Sequence, residues 1–345
     1  MRALRTGLWL AGGALGLLLA AVVALWLWAG TPGSLAQALA WAGRWTQEAD
    51  ASPGRLQTDN VEGSLRGGGR IGSLRWSQDG LSVQAEDVAL QWGDALWTDA
   101  LQGRGLHIPS LAIRSLRVDD QRPPTPSEPL ADLSLPLPLS LGFSLQRFEI
   151  TGRQTLSATD IAGHYRYAAL STPVDEPALP DTAGVNAAHR LRLDALQWAD
   201  GRYRGQLNLG AQAPLPLALA LQGEVQGRVP DGPLLQLQAQ ARASGTLAGA
   251  GAALDIYAQA QPADGATGPD ATTLSLTARV LPWADQPLHS ADVNARALNL
   301  AMLWPTAPVT ALSGQLQAQP EGDGWRARVQ LTNAREQPAD QQGLP

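Results

Sequence analysis

Leu235-Gln236-Leu237-Gln238-Ala239-Gln240-Ala241-Arg242-Ala243 alternates apolar and polar residues without a break. Side chains of an extended chain point to opposite faces in turn, so this run has one greasy face and one wet face. Three more stretches repeat the pattern. Leu215, Leu217, Leu219 and Leu221 share a phase; Leu274, Leu276, Ala278 and Val280 oppose Thr273, Ser275, Thr277 and Arg279; Trp325, Ala327, Val329 and Leu331 oppose Arg326, Arg328, Gln330 and Thr332. Strands of this kind belong to antiparallel sheets solvated on one side. The reading is a mainly β protein with few short helices.

A greasy sheet face must be buried against something. Helical patterns are scarce. Ser34 with Gln37 three residues later is a capping-box signature, and Leu35–Trp45 then reads as a short helix carrying Leu39, Trp41 and Trp45. That helix either lies at a membrane surface or closes the end of the following sheet. Leu298–Trp304 is a second candidate. Two short helices cannot cover a dozen or more strands, so the sheet closes on itself, packs as a sandwich, or stays curved around a groove. The lining is mostly Leu and Ala, with only two Phe in the chain, and small residues fill a closed interior poorly. This favours an elongated, curved, mostly antiparallel sheet with an apolar, taco-like groove. Candidate lining residues are Leu215, Leu217, Leu219, Leu221, Leu235, Leu237, Leu274, Leu276, Val280, Val329 and Leu331.

Between residues 55 and 120 the same period holds with an interruption. Leu81-x-Val83-x-Ala85 alternates in one phase and Val88-x-Leu90-x-Trp92 in the other, which a bulge or short turn produces. Leu101–Ile108 and Leu111–Val118 read as two strands separated by Pro109-Ser110, and Gly93–Trp97 is too short for more than one helical turn. Pro123, Pro124, Pro126, Pro129, Pro136 and Pro138 mark a break or semi-extended linker, and an acidic loop runs from Ser171 to Ala183. The expected divisions are residues 1–30, 31–120, 121–138 and 139–345. They comprise an anchor, a membrane-proximal helix with a first β module, the Pro-rich break, and a continuing β groove. The chain stops at Gly343-Leu344-Pro345 without a capping signal, which reads as a piece of something longer.

Leu8–Trp28 carries no charge and matches the ~20 residues that cross a bilayer core as a helix. Arg2 and Arg5 precede it, and no charge follows until Arg44. This asymmetry keeps the N-terminus cytoplasmic and sends the rest outward. Leu8, Leu17 and Val22 would face lipid, with Trp26 and Trp28 at the outer headgroup layer. A cleaved signal peptide is the rival, with Ala36-x-Ala38 as a possible site. Its apolar core is normally only ~7–15 residues, shorter than the run seen here.

Composition removes many chemistries. There is no Cys, and all 25 basic residues are Arg, so thiolate metal sites, Walker-type lysines and Schiff bases are excluded. Without Arg2 and Arg5, 23 basic residues face 31 acidic ones, a poor balance for nucleic acid. Gly67, Gly69 and Gly72 spell G-x-G-x-x-G, but an alternating strand follows where a dinucleotide site needs a helix N-terminus. His107, His164, His189 and His289 have no metal-ligand spacing. The chain is read as a non-enzyme without cofactor or metal. Seven of its 12 Trp, namely Trp76, Trp92, Trp97, Trp198, Trp283, Trp304 and Trp325, fall at strand or turn ends as packing rings.

The order Val61-Glu62-Gly63-Ser64-Leu65, Leu74-Arg75-Trp76, Gly80-Leu81, Leu90-x-Trp92 and Leu106-x-Ile108 after an anchor resembles the N-terminal part of the TamB family. So do Ala278-Arg279-Val280-Leu281-Pro282-Trp283-Ala284, Leu303-Trp304-Pro305-Thr306-Ala307-Pro308 and Ala311-Leu312-Ser313-Gly314. These proteins are inner-membrane subunits of the translocation and assembly module, akin to AsmA-like and bridge-like lipid transfer proteins. One departure is visible: family members often carry a P-W-D-like turn after the Leu331-x-Asn333 strand, whereas this chain has Gln337-Pro338-Ala339-Asp340. The resemblance implies a single-pass inner-membrane protein with its bulk in the periplasm and phospholipid as cargo. It also implies the outer-membrane barrel TamA as partner through a C-terminal part absent here. Function would then be phospholipid transport in outer-membrane biogenesis. The alternative is a scaffold or chaperone for outer-membrane protein (autotransporter) assembly by β-augmentation.

Overall fold

Period-two alternation becomes strand along most of the chain, and the strands pair with their neighbours in sequence. The structure, a computed structural model, describes residues 24–47, 54–93, 95–122, 129–152, 155–168, 187–228, 234–263, 271–300, 310–322 and 324–334. Leu8, Leu17 and Val22 of the expected anchor lie outside these residues, as do the Ser171–Ala183 loop, 301–304 and the turn at 337–340. Trp26 and Trp28 sit in a helical stretch at 24–29. Among the described residues no helix is long and apolar enough to cross a membrane.

Two compact units are present, one made of Met1–Arg122 with Leu141–Leu156, the other of Pro123–Ser140 with Ser157–Pro345. The first holds helix α1 (Ser34–Gln47), strands β1 (Arg55–Ser64), β2 (Gly68–Gln78), β3 (Leu81–Gln91), helix α2 (Ala95–Leu101), β4 (Leu106–Asp120) and, from Leu141 onward, β5 (Leu139–Gly152). Its strands stand in chain order, with β1 to β4 antiparallel. Ile71, Ala85 and Val88 form its buried core, packed by Leu39 of α1 and by Val61, Leu74, Leu90, Leu111, Ile113 and Leu116.

The expected phase change is resolved here as a continuous strand. Asp87 has φ 48° and, on β1, Asn60 has φ 52°, so each strand takes one left-handed residue, a conformation that Asp and Asn tolerate best among non-glycines. Val88 pairs with Ile71 and Ala85 with Leu74, although both strands change parity between them. Because neighbouring strands reset together, the apolar side chains stay on one face. Arg114 of β4 forms an ion pair with Asp87 at this line.

Four expectations need correction. The segment 106–120 is a single strand running through Pro109-Ser110, and Leu101 belongs to α2. Pairing of β4 with β3 begins only at Ser110, opposite Gln91, so the missing N–H of Pro109 falls outside the ladder. Helix α2 has seven residues, longer than one turn. Leu298 ends a strand instead of starting a helix. Ser34 and Gln37 do not form a capping box. The Ser34 hydroxyl donates to Ala29 O and Thr31 O and accepts from Leu65 N, while Gln37 Oε1 accepts from Trp28 Nε1. These bonds tie α1 to the β1–β2 turn instead of closing its own first turn. That turn is fixed from the other side as well, because Trp92 and Trp97 both donate their indole N–H to Leu65 O, at 2.9 and 2.8 Å.

Among its described residues, the named elements of the second unit are all strands. They are β6 (Leu156–Tyr167, from Ser157), β7 (His189–Trp198), β8 (Gly201–Leu209), β9 (Pro216–Arg228), β10 (Leu234–Thr246), β11 (Leu254–Pro262), β12 (Thr273–Val280), β13 (Leu288–Leu298), β14 (Leu312–Glu321) and β15 (Gly324–Asn333). Each is antiparallel to the next, and β15 pairs with β14 alone, so the sheet is open. Ala199 and Asp200, with φ 46° and 60°, make the two-residue β7–β8 turn, whose twist suits a hairpin.

Replacing Asp87 separates backbone strain from charge. Asp87→Val should lower stability by about 1–2 kcal/mol, since a β-branched residue resists this φ. Asp87→Asn should stay within about 0.5 kcal/mol, because the ion pair is exposed. Urea unfolding of both variants checks this; equal losses would assign the effect to the carboxylate.

Candidate functional site

The register of the second unit carries the alternation of single strands into rows that cross the sheet. Leu193 stands opposite Gly205, and the row continues through Leu221, Ala241, Ala258, Leu276, Val293, Leu316 and Val329. A parallel row runs Leu191, Leu207, Leu219, Ala243, Ile256, Ala278, Ala291, Ala318, Ala327. A third runs Tyr203, Gly223, Ala239, Ala260, Leu274, Ala295, Gly314, Leu331. No charged side chain enters any of the three. With strands about 4.8 Å apart, a row across nine strands is roughly 38 Å long.

Alignment survives one irregularity that would otherwise break it. Leu193 pairs with Gly205 but Leu196 pairs with Tyr203, so β7 carries an extra residue at Asp194-Ala195. The bulge turns Leu196 and Trp198 to the face of Leu191 and Leu193. Arg192 Nε donates to the Asp194 carboxylate at 2.8 Å, and His164 Nδ1 lies 3.1 Å from its other oxygen.

Among the described residues no helix and no second sheet packs over this face. Yet Leu219, Ile256, Leu276, Val293 and Leu316 are only half-exposed, while Arg242, Tyr257 and Gln317 on the other face are exposed. On β15, which has a neighbour on one side only, Trp325, Val329 and Leu331 are about half accessible, at 50, 52 and 47 %.

Of the candidate residues, Leu217, Leu219, Leu221, Leu237, Leu274, Leu276, Val280, Val329 and Leu331 lie on this one face by register, and Leu235 stands on β10 opposite Gly227. Leu215 does not join them. It precedes β9 with φ 53° and is wholly buried in the turn between β8 and β9, where its backbone N–H reaches Gln212 O. Sequence reading missed the strands that complete the rows, chiefly β11 and β13. Their signal is the same period two in Ile256-x-Ala258-x-Ala260 and Ala291-x-Val293-x-Ala295, but alanine contrasts weakly with its polar neighbours.

One margin of the face is built from turns. The segment after Pro129 bridges Leu130 to Ala248 and Asp132 to Gln212, and Leu133 N donates to Ala211 O at 2.8 Å. Hydrogen bonding from the Ser134 side chain, and then from its backbone N–H, holds the Asp132 carboxyl below its usual range. His189 Nε2 lies 3.0 Å from Leu133 O and Nδ1 2.7 Å from the Tyr165 hydroxyl. A carbonyl only accepts, so Nε2 donates to Leu133 O, and in the neutral imidazole Nδ1 then accepts from the Tyr165 hydroxyl. Burial, and then the neighbouring Tyr167, raises the Tyr165 pKa, which keeps that donor protonated. Trp283 Nε1 closes the same margin on Leu247 O at 2.7 Å.

The opposite face is polar, and a row made mostly of amides crosses it. Gln222, Gln240, Gln259, Ser275, Asn294, Gln315 and Gln330 are successive register partners, and Gln259 Nε2 donates to Gln240 Oε1 at 3.2 Å. Two shallow clefts of about 410 and 400 Å³ lie on this side. One is lined by Asp194, Arg202, Arg204, Gln222 and Glu224, the other by Gln259, Thr273, Ser275, Asn294 and Arg296. Among the described residues no group of three His, Asp or Glu could hold a metal ion. Comparisons with protein family models, with characterised proteins and with solved structures find nothing that matches this chain.

Covered and uncovered leucine-type residues should differ in what they contribute to stability. Ile71→Ala, at 3 % exposure under α1, should cost about 2–5 kcal/mol. Leu276→Ala, with no element above it, should cost under about 1.5 kcal/mol, because part of its surface is already in water. Urea unfolding tests the pair. An equal cost would mean that Leu276 is closed core.

Proposed function

We propose that the chain is an inner-membrane-anchored periplasmic conduit in which phospholipid acyl chains slide along the apolar face of the second unit. The observation that carries this reading is the set of three charge-free rows that no helix or second sheet covers among the described residues. Each CH₂ left in water costs about 0.8 kcal/mol, so an acyl chain moves freely only where its apolar support has no gap. Rows in register across eight or nine strands meet that need, and a sliding chain requires neither a headgroup site nor bond chemistry. The uncharged run Leu8–Trp28 supplies the anchor and the resemblance to the TamB family supplies the cargo class and the direction, towards the outer membrane. In that reading the outer-membrane barrel TamA is the distal partner and no cofactor takes part.

A second reading, a scaffold that templates outer-membrane proteins by β-augmentation, draws on β15. Its backbone pairs on one side only and its apolar residues are half accessible, which is how a sheet edge receives another strand.

Phospholipid retained by the purified full-length chain distinguishes them. Lipid extracted and quantified per protein should fall several-fold in Leu276→Asp and Leu221→Asp and stay unchanged in Gln259→Asp, with strand content preserved in all three. Unchanged lipid in the two leucine variants would reject the conduit and leave the scaffold reading.

A further inference from the structure

Helix α1 has two faces of different kind. One carries Leu35, Leu39 and Gly43 against the sheet: Leu35 is buried, Leu39 packs on the Ile71 core, and a Cβ added at Gly43 would come within 3.1 Å of Leu56 O. The other carries Gln37, Trp41, Arg44 and Trp45, at positions that helical geometry brings to one side. Trp41 is 45 % and Trp45 73 % exposed. Water-facing helix positions ordinarily hold polar residues, and two indoles this exposed on one side of the helix call for another environment.

That environment is set by what the patch is attached to. Trp28, the last residue of the uncharged run, stacks on Trp41 with ring centroids 5.3 Å apart and 18° between planes. Its indole N–H donates to Gln37 Oε1 at 2.9 Å. Leu25 and Leu27 of the preceding helical stretch are more than 60 % exposed. The connection cannot swing, because Gly33 N donates to Gly63 O, Arg66 N to Ala29 O, and Leu65 N to the Ser34 hydroxyl. The Arg66 guanidinium lies 4.5 Å from the Trp26 ring centroid, and Arg44 is exposed beside Trp45.

We propose that α1 lies in the headgroup layer of a phospholipid bilayer, with Trp41 and Trp45 inserted at the level of Trp28 and with Arg44 and Arg66 at the lipid phosphates. The inference rests on the reading of Leu8–Trp28 as a membrane anchor and adds to it that the first unit is held flat against the bilayer instead of hanging from a tether. Indoles favour the layer between headgroup and acyl chain, and guanidinium groups pair with phosphate oxygens. A protein partner would satisfy the indoles too. The stack on Trp28 places them at the end of the span, where lipid is already present.

Because the chain has no Cys, single cysteines carry a nitroxide at one place only. Full-length Trp45→Cys, Arg44→Cys and Gln259→Cys, spin-labelled and reconstituted in phosphatidylethanolamine–phosphatidylglycerol vesicles, would first be floated on a density gradient. Collision rates with oxygen and with a water-soluble nickel chelate follow. Flotation with an oxygen-to-nickel ratio several-fold higher at positions 44 and 45 than at 259 is the expected result. Arg44→Cys keeps both indoles, so a local defect from losing Trp45 is controlled. Flotation with aqueous ratios at 44 and 45 would overturn this inference and leave the anchor standing, whereas failure to float would overturn both.

Discussion

Everything in this protein depends on keeping one side-chain phase through a long antiparallel sheet. A slip of one residue in any strand would throw its whole apolar set to the solvent face, and the rows would be cut at that strand. The chain guards against this where its strands are irregular. Asn60 on β1 and Asp87 on β3 reset the phase with left-handed backbone on either side of β2, and Asp194-Ala195 does so with a one-sided bulge. Each uses a short polar residue that accepts the unusual conformation or bonds across it, as Asp87 does with Arg114 and Asp194 with Arg192.

Given a single apolar face, the next question is what covers it, and the two units answer differently. In the first, α1 lays Leu35 and Leu39 over the start of the sheet, and Ile71, Ala85 and Val88 become an ordinary core. Its anchoring is polar: the Ser34 hydroxyl and the Trp92 and Trp97 indoles all converge on the Leu65 peptide groups. In the second unit no element takes that role among the described residues, and the rows are rich in Ala and Gly. Ala241, Ala258, Ala260, Ala295 and Gly314 leave room above the sheet that a Phe- or Leu-filled interior would occupy. The amide row on the other face is suited to an uncovered sheet for the opposite reason. Neutral side chains in register, two of them bonded across strands as Gln259 is to Gln240, avoid the like-charge repulsion that facing arginines would bring.

How much of this was legible depended on contrast. Strands with Leu against Gln or Arg, such as Leu235–Ala243 and Trp325–Leu331, were readable residue by residue, as was α1 from Leu35 to Trp45. The single strand 106–120 was not, because Pro109 reads locally as a break and only the pairing frame shows that its missing N–H falls outside the ladder. Leu215 shares the parity of Leu217 and Leu219, and nothing local announces that the turn after Pro214 takes it out of the strand. The shared face itself, with Ala258 beside Leu276 and Val293, is a property of register between strands far apart in sequence. The Trp28–Trp41 stack likewise joins two segments whose patterns had to be read separately.

The conduit depends most directly on acyl chains contacting the rows and not the amide face. A photo-crosslinking residue placed at Leu221, Ala258 or Val293, and on the opposite face at Gln222, Gln259 or Asn294, reports this in cells that make the full-length chain. Covalent phospholipid adducts at the first three positions and none at the last three, read by mass spectrometry of the purified protein, are the predicted result. Adducts equally on both faces, or on neither, would contradict the conduit.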